Sequence, residues 1–106
     1  MHLTSYLQNG HLTVALTGEI DHHCAKAFIE TIISKIEAYT PKECILDFQD
    51  VSFMDSSGIA LILKVHRRMH QRGGRAWVEN AENPPLRVID ASGIDRIVNV
   101  SLNKEV

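Results

Sequence analysis

The chain has no apolar run near the roughly 20 residues that a helix needs to cross a bilayer. Its start, Met1-His2-Leu3-Thr4-Ser5-Tyr6, has no basic segment leading into an apolar stretch. No secretory leader is therefore visible, and the cytosol is the expected address. Cysteine is scarce: Cys24 and Cys44 are well separated and match no C-x-x-C pattern, so they read as reduced, buried thiols. There is no excess of positive charge, since the formal net charge is −2, which argues against a general nucleic-acid binder. No glycine-rich phosphate loop with a following lysine is present, so intrinsic nucleotide binding is not expected and no cofactor is called for. Repeats, linkers and low-complexity segments are missing as well.

What is present is an ordinary globular composition, 44% hydrophobic and 23% charged over 106 residues. That length fits a single domain spanning 1–106, which buries roughly 60–70% of its unfolded surface without staples. Leu12, Val14 and Leu16 alternate with Thr13 and Thr17, and Asn9-Gly10 separates this run from Leu3 to Leu7. An Asn-Gly pair between alternating runs predicts a hairpin, with strands at about 3–8 and 11–17. Gly18-Glu19-Ile20 is expected to turn the chain and Asp21 to cap a helix. Ala25, Phe28, Ile29, Ile32, Ile33 and Ile36 form that helix's apolar stripe, and Pro41 ends it.

Glu43 to Phe48 reads as a central strand, and Ile59, Ile62, Leu63, Val65 and Met69 mark a second helix stopped by Gly73-Gly74. Arg75 to Glu79 is a short strand. Pro84-Pro85 open a third helix, which Gly93 closes. Arg96 to Val100 reads as a last strand, and the polar tail beyond is expected to fray. The order β-β-α-β-α-β-α-β implies an α/β fold, a mixed sheet of about five strands with helices packed on it.

Met54-Asp55-Ser56-Ser57-Gly58-Ile59 stands between a strand-like and a helix-like run. A helix start offers free N–H groups and a positive dipole end, so it tolerates added negative charge. A serine there serves as a plain cap, a nucleophile or a phosphate acceptor. Serine capping is the commonest use of such a junction. The hydrolase elbow G-x-S-x-G is broken, because Met54 stands where the first glycine belongs. The six histidines show no obvious pairing with the serine. A phosphate would bring about −1.5 to −2 charges beside Asp55 and change what the helix end binds without unfolding it.

Three blocks together resemble the STAS-domain anti-sigma factor antagonists of the stage II sporulation type. They are Gly18-Glu19-Ile20-Asp21-His22-His23, then Ile45-Leu46-Asp47-Phe48, then Val51 through Ile59. Gly73-Gly74 and the segment Pro85 to Ile97, with Val88 and Gly93, extend the likeness over nearly the whole chain. The resemblance implies the STAS fold and a non-enzymatic binder. It implies that Ser56 is phosphorylated by the anti-sigma factor, a serine kinase that brings its own ATP. The unmodified form would bind that factor and free a sporulation sigma factor, and a metal-dependent serine phosphatase would restore it.

The resemblance also makes Asp21 a candidate contact for basic groups of the kinase, with Asp55, Ser57 and Gly58 completing the partner surface. Two departures are expected to matter little for the switch: a short or missing last helix, and Cys24 where the family often has a small polar residue. A STAS subunit of another partner-switching (stress-response) or lipid-transport system is the alternative function.

Other clusters read more plainly. His22-His23-Cys24 are consecutive and so diverge, which argues against a metal site. Arg67, Arg68, Arg72 and Arg75 read as a solvated helix end suited to the dipole, with docking of an acidic partner as the alternative. Trp77 reads as core or edge packing.

Overall fold

Asn9 and Gly10 both take positive φ, 53° and 81°, which closes a two-residue hairpin turn matched to the twist of its strands. In this computed structural model, which describes residues 2–102, the turn joins β1 (His2–Gln8) to an antiparallel β2 (His11–Ile20). The elements that follow are α1 (Ala25–Tyr39), β3 (Glu43–Met54), α2 (Ser56–Gln71), β4 (Arg75–Ala81), α3 (Pro85–Ser92), a 3-10 turn (Ile94–Arg96) and β5 (Val100–Leu102). The sheet order is β1-β2-β3-β4-β5, with every pair after the first parallel. Sequential parallel strands with right-handed crossovers place the helices on one face. There α1 packs on α2 and α2 on α3.

The alternation read from the sequence becomes an inside and an outside. Leu12, Val14 and Leu16 on β2, Cys44, Leu46 and Phe48 on β3, and Ala76 and Val78 on β4 are buried beneath the helices. Ile32 and Ile36 of α1 and Leu61, Ile62, Val65 and Met69 of α2 close over them. Thr13, Ala15, Ile45 and Trp77 point the other way and are half-buried on a face that no helix covers among the described residues. Among the described residues no helix is long and apolar enough to cross a membrane.

Four expectations need correction. Gly18-Glu19-Ile20 continue β2 and do not turn; the register against β3 shifts between Gly18 and Glu19, and Gly18 absorbs the irregularity at φ 98°. β3 does not stop at Phe48 but runs on to Met54, because Val51 and Met54 are buried like the residues before them.

The last strand is Val100–Leu102, not 96–100. Ile94 and Val98 are both buried, at helical spacing, while Ile97 is exposed, so the segment coils past Gly93 before it pairs Val78 with Val100. Trp77 lies on the open sheet face, where its indole N–H donates to Glu79 at 2.7 Å and the Arg75 guanidinium sits 5.7 Å from its ring. The expectation of a short or missing final helix, with most of the polar tail, falls outside the described residues.

Candidate functional site

β2 and β3 are neighbours, and both end at the same edge of the sheet. Ile20 pairs with Met54, and the Asp55 N–H donates to the Ile20 carbonyl at 3.1 Å. Each strand is followed at once by an aspartate that caps the turn into the next helix. The carboxyl ends of parallel strands are where open α/β sheets place their binding sites.

Asp55 is the N-cap of α2, and its side chain accepts from the Ser57 N–H at 2.8 Å. That bond holds the Asp55 carboxyl below the ordinary carboxylate range, against the opposing effect of partial burial. The serine-cap reading therefore fails for a definite reason: the N-cap position of α2 is already filled by Asp55, the residue before Ser56. Ser56 is the first residue of α2. It is exposed, and its hydroxyl makes no hydrogen bond among the described residues. Ser57, half-buried, turns its side chain toward the space between α1 and α2.

Gly58, expected on the partner surface, is buried instead. A Cβ there would lie 2.1 Å from Met54 Cγ and 2.2 Å from Met54 Sδ. The position is glycine because the Met54 side chain, itself 1% exposed, occupies that space. Gly58 thus seats the start of α2 tightly on the end of β3 and offers no side chain outward.

Asp21 caps a turn rather than the first residue of α1. Its carboxylate accepts from the N–H groups of His23 at 2.9 Å and Cys24 at 3.3 Å, and α1 begins at Ala25. Partial burial works against ionisation of Asp21, but the two N–H groups outweigh it and hold the carboxyl below its usual value. The Cys24 thiol is buried and donates to the Glu19 carbonyl at 3.2 Å; burial pushes its pKa up.

His22 is the contact that the sequence did not reveal. Its Nδ1 lies 3.8 Å from an Asp55 oxygen, and its ring lies against that of His23, tilted by 37° with centroids 4.0 Å apart. The residues are 33 apart in sequence, so only the strand pairing brings them together. The outward groups of the site are then Asp21, His22, His23, Asp55 and Ser56. Among the described residues no three metal-ligating side chains converge.

A model of the STAS domain matches residues 2–105. The chain belongs to the STAS domain family. An anti-sigma F factor antagonist from Paenibacillus polymyxa is 32% identical to it over 95 residues, covering 90% of this chain and 81% of that protein. An anti-sigma-B factor antagonist from Bacillus subtilis is 28% identical, covering 89% of this chain and 84% of its own. The solved structure of the anti-sigma factor antagonist SpoIIAA in its unphosphorylated form matches with a TM-score of 0.82 at 25% identity, over 97% of this chain and 90% of that one. The phosphorylated form of the Bacillus SpoIIAA matches with a TM-score of 0.73 at 25% identity, over 97% and 93%. This STAS domain thus has anti-sigma factor antagonists among its relatives, and its five-strand mixed sheet with three helices matches the fold of SpoIIAA.

Proposed function

We propose that this STAS domain is an anti-sigma factor antagonist whose binding is gated by phosphorylation of Ser56. One observation carries the reading: Ser56 stands exposed at the first position of α2 while Asp55 holds the cap. A phosphate added to Ser56 breaks no hydrogen bond that supports the helix. It adds about −1.5 to −2 charges at the positive end of the helix, next to the carboxylates of Asp55 and Asp21. The fold keeps its shape and the surface changes its charge.

The partner is an anti-sigma factor that doubles as a serine kinase and brings its own ATP. Ser56 Oγ attacks the γ-phosphorus, the bond to the β–γ bridging oxygen breaks, ADP leaves, and the hydroxyl proton passes to a base of the kinase. The product phosphate then faces the negatively charged ADP in a surface fitted to a neutral hydroxyl. Repulsion, bulk and desolvation together weaken the complex. Hydrolysis by a serine phosphatase returns the binding form, which occupies the anti-sigma factor and releases a sporulation sigma factor in the cytoplasm. Asp21, Asp55 and Ser57 complete the contact surface, with Gly58 acting through the seating of α2. The Bacillus subtilis relative, an anti-sigma-B factor antagonist, favours a second reading in which the same switch serves a stress-response sigma factor.

The test is affinity for the anti-sigma factor. S56D is expected to bind at least about tenfold more weakly than the unmodified chain, a loss of about 1.4 kcal/mol, whereas S56A keeps its affinity. Equal affinities for the two variants contradict the proposal.

A further inference from the structure

We propose that the groove between α1 and α2 receives an acidic amphipathic helix of the anti-sigma partner. This rests on the antagonist reading and adds a second contact surface, and a partner chemistry, to it. Two cavities of about 580 and 500 Å³ open between the helices and share Ile29, Glu30 and Lys64, so they form one continuous groove. It begins at His22 and Ser57, beside the switch serine, and ends at Gln71. Along α2 the lining residues 57, 60, 64, 67, 68 and 71 fall on one face of the helix, with 57, 60, 64, 67 and 71 three or four positions apart. Fourteen helical steps make that face about 21 Å long, enough to lay four helical turns alongside it.

The floor of the groove is apolar. Ile29 and Ile33 are half-buried against the core and remain open to solvent on the groove side. The walls are cationic. Lys26, Lys64 and Arg67 are exposed and form no ion pair among the described residues, in contrast to Arg68 and Arg72, which both hold Glu37. Among the described residues Glu30 is the one carboxylate that lines the groove. Three unpaired cations against one carboxylate leave a local surplus of two positive charges on a chain whose formal net charge is −2.

An apolar floor between cationic walls fits an amphipathic segment with acidic flanks. A second copy of this chain docking through its open sheet face is a poor occupant. The carboxylates on its open sheet face are already engaged: Glu43 by His11 and Arg75, Asp47 by Asn80, and Glu79 by Trp77.

The experiment measures binding of the full chain to the purified anti-sigma factor of its host, at low and at moderate salt. K64E/R67E is expected to weaken binding about tenfold at low salt and to flatten its salt dependence. E30K raises the cationic surplus and is expected to tighten low-salt binding about two- to threefold, a gain that a folding defect does not produce. The proposal is overturned if both variants bind within twofold of the wild type. It is also overturned if the reversals act on self-association of the chain, read by sedimentation, and leave binding unchanged. S56D in the same assay separates the two ideas. Weakened S56D with unaffected groove variants removes the groove alone, whereas a wild type that does not bind removes the antagonist reading and the groove with it.

Discussion

Replacing Asp55 by alanine removes the cap of α2 and leaves Ser56 untouched. The lost acceptor serves the Ser57 N–H at 2.8 Å, and removal of such a cap costs about 1 kcal/mol. Removing a carboxylate from the positive end of the helix adds about 0.3–1 kcal/mol at low salt. The sum, about 1–2 kcal/mol, lowers the melting temperature of a domain this size by about 4–16 °C, at about 4–8 °C per kcal/mol. S56A moves the other way, because Ser56 caps nothing and alanine is the better helix former by a few tenths of a kcal/mol, about 0.3–0.5.

Urea unfolding of both variants measures the contrast. D55N keeps an acceptor and drops the charge, which isolates the electrostatic part. The Asp55 pKa is lowered in the folded state, so its contribution is present above the unfolded carboxylate value near about 4 and fades as pH falls through the folded pKa. The gap between wild type and D55N is therefore widest near neutral pH and closes in acid. A loss in S56A as large as that in D55A refutes the assignment of the cap.

G58A should destabilise the fold by about 1–2 kcal/mol in urea, since its Cβ meets Met54 at 2.1 Å and overpacking outweighs the helix propensity alanine adds. A more stable G58A contradicts that packing. The Cys44 thiol, fully buried and pushed up to about 12 by burial, should stay unlabelled by a disulfide-exchange reagent at pH 8 and react only after unfolding. Prompt labelling of native Cys44 refutes its placement under the helices.

The fold was legible wherever local physics and tertiary packing agreed. Asn9-Gly10 announced the hairpin, and the spacing of Phe28, Ile32 and Ile36 announced the buried stripe of α1, because the same periodicity that patterns the sequence faces the core. Legibility failed where packing overrode pattern. The segment Arg96 to Val100 is β-branched and apolar enough to read as a strand, yet Ile94 and Val98 are buried at helical spacing and the chain coils there. Gly18 looked like a turn and is a kink inside β2, a difference that depends on the register of β3.

At the site, the six-residue turn was visible, but its division of labour was not. Asp55 caps and Ser56 is free only because of where the helix begins relative to Met54. The approach of His22 to Asp55 and the partnering of Arg68 and Arg72 by Glu37 join residues more than 30 apart, and no local signal carries them. The groove cations had a signal in the three- and four-residue spacing of Ser57, Ala60, Lys64 and Arg67 on α2, once the basic residues are read by face rather than as a cluster at the helix end.

The central claim is that another protein writes on Ser56. Incubating the chain with the anti-sigma kinase and ATP, followed by mass spectrometry of the peptide spanning Asp55 to Ser57, tests it most directly. The account predicts one phosphate, carried by Ser56, gained only with the kinase present and missing in S56A. A phosphate on Ser57, or none on either serine with an active kinase, contradicts it.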